Sequence, residues 1–172
     1  MTSNVLLLRG INVGGRGKLP MAELRAAIEA AGGSDPKTYI QTGNAVFRGR
    51  VTEAALSDEI EARAGFRPRA VLLDASAFAA VRQDNPFPDA TEDAKALHVG
   101  FFAEPPVCTQ ADLDAARGEE ERVLLTAAAV YLHAPKHLSG STLAPRLESL
   151  AGVPLTMRNW RTVEAIAALL NE

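Results

Sequence analysis

Apolar residues occupy consecutive positions at Val5-Leu6-Leu7-Leu8, a pattern expected of a strand buried on both faces. After a glycine-rich stretch, Met21, Leu24, Ala27, Ile28 and Ala31 recur at helical spacing. Pro20 suits the first turn of that helix and Gly32-Gly33 its end. Thr38–Gln41 and Ala45–Phe47 flank Thr42-Gly43-Asn44, the pattern of a hairpin. A second amphipathic helix is predicted over 53–64 and a strand over 70–73. The order is β-α-β-β-α-β, which predicts a ferredoxin-like half over residues 1–83.

A short helix over 75–83 leads into DNPFPDATED, so residues 84–95 read as a linker rich in proline and acid. The pattern then recurs over 96–172. Strands are predicted at 97–102, 123–125 and 130–132, with a helix at 110–117 between the first two. A helix over 141–151, an extended piece over 155–157 and a helix over 162–170 follow, with Ser139-Gly140-Ser141 and Thr162 as helix caps. The fold class expected is therefore α+β, with two ferredoxin-like βαββαβ halves packed together as an internal duplication.

Composition changes little: 47% hydrophobic and 23% charged residues are ordinary for a soluble globular protein. No apolar run reaches the roughly 18 residues of a membrane span, and the N-terminus lacks the basic n-region of a signal peptide. The lone Cys108 fits a reducing compartment. These features predict a cytoplasmic protein without membrane attachment. Net charge is −3, but residues 1–50 hold seven Lys/Arg against three Asp/Glu, whereas the remainder holds eleven against eighteen. An anion site is accordingly expected in the first third.

That third contains LLRGINVGGRGKLP (7–20), which fits four glycines and three cations into residues 9–18. In a ferredoxin-like half the end of the first strand and the hairpin after the second meet at one end of the sheet. This predicts that Arg9, Gly10, Asn12, Gly14, Gly15 and Lys18 lie near Gln41, Thr42 and Asn44. Cations, amides and helix N–H groups together suit a phosphate or carboxylate. The spacing matches neither a P-loop, since Asn12 stands where glycine is required, nor G-x-G-x-x-G, since the third position is Pro20. The simpler alternative is a surface turn.

LLRGINVGG (7–15), TYIQTGNAVF (38–47) and RNW (158–160) resemble the signature segments of domain-of-unknown-function family 1697. NPF (85–87) and Tyr131-Leu132 ahead of the 133–141 loop resemble weaker landmarks of the same family. The resemblance implies a duplicated α+β architecture and no particular activity. Thr42 replaces a serine frequent in the family, and Ser139–Leu143 lacks a frequent cation. The third motif adds Arg158 and Asn159 as expected ligand contacts, with Trp160 read as a core anchor in preference to a stacking surface for the ligand.

Other chemistry finds less support. His98, His133 and His137 lack metal-ligand spacing, so no metal and no cofactor are expected. Cys108 has no nearby cation to activate it. Glu119-Glu120-Glu121 reads as a solvated run, and no paired carboxylates suggest acid–base catalysis. Three functions stay open: binding of a small anionic ligand, RNA binding, and protein interaction without a ligand. Few aromatics, 5% of the chain, make nucleic acid the weaker partner. Nothing in the sequence speaks to the oligomeric state.

Overall fold

The computed structural model describes residues 1–172. Eight strands and six α-helices follow one another: β1 (Ser3–Arg9), α1 (Met21–Ala30), β2 (Ser34–Tyr39), β3 (Asn44–Arg48), α2 (Glu53–Ala64), β4 (Arg69–Asp74), α3 (Ala75–Gln83), β5 (Leu97–Phe102), α4 (Gln110–Ala116), β6 (Arg122–Leu125), β7 (Ala129–His133), α5 (Leu147–Ala151), β8 (Leu155–Asn159) and α6 (Trp160–Leu170). The fold is mixed α+β with two four-stranded antiparallel sheets. Two compact units divide it, one of residues 1–79 with 165–172 and the other of residues 80–164. The division falls inside α3 and inside α6.

In the first unit the sheet order is β2-β3-β1-β4. Val5, Leu6, Leu7 and Leu8 are all fully buried, the outcome that four consecutive apolar residues demand of a central strand. Leu6 and Leu8 join Leu24, Ile28, Phe47, Leu56 and Ile60 in one core. Helix α2 begins on Thr52, whose hydroxyl accepts from the Ala55 amide at 3.1 Å. Strand β2 starts four residues before the predicted hairpin strand and ends at Tyr39. Its register shifts between Ser34 and Lys37, around Pro36, which has no N–H for the ladder.

In the second unit the order is β6-β7-β5-β8. Phe102, Leu113, Val130, Leu132, Leu143, Leu147 and Leu155 form its core. Helix α4 carries a full capping box between Thr109 and Asp112. The Gln110 side chain donates to the Val123 carbonyl at 2.9 Å and accepts from the Leu125 amide at 2.8 Å. Its amide thereby stands in for a neighbouring strand and seals part of the β6 edge.

Three expectations need correction here. The predicted helix over 141–151 is a 3₁₀ turn at Ala144–Arg146 followed by the five-residue α5. Pro145 cannot donate within a helix, and the Leu143 and Ala144 amides are taken by Glu121 (3.2 Å) and the Ser141 hydroxyl (3.0 Å). Helix α6 is capped by Asn159, whose Oδ1 accepts from the Thr162 amide at 2.9 Å, so Thr162 lies inside the helix and does not cap it. Glu121 is no solvated acid. It is 6% exposed and accepts from Gly118 N at 2.6 Å, from Leu143 N and from Ser141 Oγ. Its carboxylate ties the 118–121 turn to the 141–143 segment.

Candidate functional site at one end of the first sheet

Beyond β1 the glycine-rich stretch folds into a small hairpin. The Asn12 amide donates to Gly17 O at 2.8 Å. Val13 and Arg16 exchange both backbone hydrogen bonds, at 3.2 and 2.9 Å. Gly14 and Gly15 form its two-residue turn with φ of +57° and +75°, the doubly positive pair that a type I′ turn requires. The glycines therefore first serve to build a rigid finger, which carries Val13 and Arg16 on opposed positions.

Asn12 anchors this finger. Its side chain donates to Leu19 O and to Gln41 O and accepts from Leu19 N, each at 2.8 Å. One amide thus closes the loop onto the residue before Pro20 and ties it to the turn that follows β2. Asn44 does similar work from β3. It is fully buried, with its Nδ2 donating to Tyr39 O at 3.1 Å and to Thr42 Oγ1 at 2.9 Å. A hydroxyl at position 42 is what this bond needs, and threonine and serine supply it equally. Gly43 follows from close packing: a Cβ there would stand 2.6 Å from Leu8 Cβ, while its carbonyl accepts from Leu8 N at 2.8 Å.

Between these two grips lies Ile40. Asn44 holds the carbonyl before it and Asn12 the carbonyl after it. Ile40 sits at φ +50° and is 49% exposed. A β-branched residue in the left-handed region is a strained placement. Val13 at the finger is 61% exposed.

The cations gather at the same end. Arg9 on β1 is the direct register partner of Arg69 on β4, so both side chains leave the same face. Arg16 and Lys18 are exposed on the finger and its return, and neither forms an ion pair. Residues 9–19, 39–44 and 66–73 contain no Asp or Glu. Arg67, close by in sequence, is committed to Asp58 and Glu61 at 2.6 and 3.1 Å. Helix α1 begins just beyond Leu19, but Glu23 in its first turn already supplies negative charge and is bridged by Arg63 at 3.6 Å.

The sequence-predicted residues therefore divide. Gly10, Gly14 and Gly15 are backbone devices, Asn12 and Asn44 are positioning residues, and Arg9, Lys18, Gln41 and Thr42 stand exposed. Arg158 and Asn159 belong to the second unit. Arg158 donates to Met157 O at 3.0 Å, and burial pulls its pKa down to about 10. Asn159 is the α6 cap already described. Trp160 is 7% exposed and packs as an anchor. Sequence reasoning counted Arg16 among the loop cations without assigning it to the site, and singled out neither Val13 nor Arg69, the second of which enters only through the pairing of β1 with β4.

The second unit holds a separate histidine group. His98 is 7% exposed, its Nδ1 has no hydrogen-bond partner, and burial drives its pKa down to about 4, with His137 adding repulsion. His133 accepts from Arg122 Nε at 3.2 Å, and Arg122 forks onto Asp89. His137 meets Asp93 at 3.1 Å. No group of three or more His, Cys, Asp or Glu is arranged to hold a metal ion. Cys108 has its pKa raised, chiefly by burial, the reverse of an activated thiol. No helix is long and apolar enough to cross a membrane.

Comparison with solved structures finds the conserved bacterial protein SP0830 from Streptococcus pneumoniae similar in fold. Its TM-score is 0.69 at 23% identity, over 98% of each chain. No curated protein matches the chain. The family model described as "Protein of unknown function (DUF1697)" matches residues 1–131, and the chain belongs to that family.

Proposed function

We propose that the chain binds a small anionic ligand, bearing phosphate or carboxylate, at the end of the first sheet formed by Arg9, Arg16, Lys18, Gln41, Thr42 and Arg69. The observation that carries this reading is that the exposed Arg16 and Lys18 form no ion pair and stand on a finger that Asn12 holds to the 41–42 turn. Arg9 and Arg69, register partners on β1 and β4, place two more cations at the same end of the sheet. Lys18 and Arg16 beside them, without ion pairs, extend the positive region. The asparagine ties favour a preformed site, because they hold the finger and the 40–43 turn before any ligand arrives.

An RNA surface gains less support. The aromatic of the third strand, Phe47, is 2% exposed and belongs to the core, so it offers no stacking face. Residues 9–19, 39–44 and 66–73 contain no Asp, Glu or His to act as a general base, which favours binding over turnover. Arg158 and Asn159, expected from the sequence as ligand contacts, belong to the second unit, and this reading does not depend on them. We further read the two sheets, each ordered fourth-first-third-second, as ferredoxin-like copies over 1–83 and 96–172 joined by a linker at 84–95. The single free Cys108 favours a reducing, cytoplasmic setting.

A thermal-shift screen of inorganic phosphate, sugar phosphates, nucleotides and small carboxylates tests the site. One anion class at about 100 times its dissociation constant raises stability by about 2.7 kcal/mol, and Lys18→Ala and Arg69→Ala diminish that rise. Indifference to every anion leaves the finger a structural turn and overturns the reading.

A further inference from the structure

Resting on that anion site, we infer that its ligand is an amphiphilic anion: a phosphate or carboxylate monoanion joined to an alkyl or aryl body, taken from solution. Three observations on the first unit lead there. Val13 and Ile40 are 61% and 49% exposed, and each adjoins one end of the Asn12–Gln41 hydrogen bond. Val13 is paired with Arg16 across the finger, so an apolar and a cationic side chain leave its same face. Ile40 is held at φ +50°, where a smaller or polar residue would rest more easily. The chain keeps a bulky apolar group there against its own conformational preference, and strain of this kind gathers at ligand clamps.

The chemistry that recognises this combination follows from the parts. Arg16 and Lys18 take the charged group, and Val13 with Ile40 covers the adjoining carbon skeleton. A bare inorganic anion or a sugar phosphate satisfies the cations and leaves both apolar side chains in water. An alkyl or aryl substituent removes them from it, and affinity rises with the apolar area buried. The two apolar side chains are too few to hold a membrane alone, which favours a dissolved molecule over a lipid surface.

The test is isothermal titration with inorganic phosphate and with hexyl phosphate below its aggregation concentration. A third arm adds vesicles containing phosphatidylglycerol. The wild type is compared with Val13→Thr/Ile40→Asn. Hexyl phosphate is expected to bind about tenfold tighter than inorganic phosphate, and the double variant to lose that advantage while still binding phosphate. Ile40→Asn suits the left-handed backbone, so the variant folds. Equal affinity for both phosphates, or an advantage that survives in the double variant, overturns the inference and leaves the anion reading standing. Binding to vesicles without binding to dissolved hexyl phosphate also overturns it. Binding of neither phosphate overturns the anion reading itself.

Discussion

The Asn12 side chain donates to the Gln41 carbonyl at 2.8 Å, while its other donor and its acceptor hold Leu19. Two segments 29 residues apart are fastened by one amide. With Asn44 holding Tyr39 O, the pair fixes the backbone on both sides of Ile40. The two most distinctive segments of the sequence, 7–15 and 38–47, are thus halves of one structural object.

Replacing Asn12 with alanine removes three hydrogen bonds and places alanine at φ +53°. We expect a loss of about 2–3 kcal/mol, measured by urea denaturation. Asn12→Asp is expected to be similarly harmful, because a carboxylate cannot donate to the Leu19 and Gln41 carbonyls.

Ile40→Asn is expected to stabilise the protein by about 1 kcal/mol, since asparagine tolerates the left-handed region that isoleucine does not. The same change is expected to weaken ligand binding. A higher melting temperature with lower affinity supports strain kept for function; a lower melting temperature shows that Ile40 packs where its exposure says it does not.

Glu121→Ala is expected to cost about 3 kcal/mol, because Gly118 N, Leu143 N and Ser141 Oγ lose a common buried acceptor. Glu121→Gln is expected to retain part of that, keeping an acceptor oxygen without the charge. Calorimetric melting of the two variants distinguishes the hub from a surface acid, whose loss changes stability by no more than about 0.5 kcal/mol.

His98 governs the acid limb of stability. Its pKa of about 4 in the folded protein lies below the unfolded value of 6.5, so the unfolded chain binds more protons between those two pH values. Stability is therefore full above about pH 6.5 and falls by about 3 kcal/mol as pH drops to 4. In His98→Leu that slope is expected to flatten, leaving the smaller contribution of His133, whose pKa burial also lowers. An unchanged slope assigns the acid sensitivity to other groups.

Much of this architecture was legible in the sequence because it rests on local pattern. Consecutive apolar residues marked β1, periodicity marked α1, and glycine-bounded polar turns separated the elements. What escaped depended on partners distant in sequence. Glu121 looked like one acid of three, and only the return of the 141–143 segment makes it a buried hub. Asn12 and Asn44 read as ligand groups because amides favour anions, and no local pattern shows that Asn12 also ties Leu19 to the Gln41 carbonyl or that Asn44 also donates to Tyr39 O and Thr42 Oγ1. Arg69 carried no local motif; it entered through strand pairing with Arg9. Ile40 could not be read as strained, since nothing in a sequence reports φ.

The most direct measurement is an amide nitrogen–proton NMR titration of the full chain with hexyl phosphate, repeated on Lys18→Ala. The account predicts shifts at Gly10, Gly14, Gly15, Gly17, Gln41, Thr42, Gly43 and Arg69, and an affinity lowered about tenfold in the variant. Shifts confined to the second unit, or none at saturating anion, contradict it.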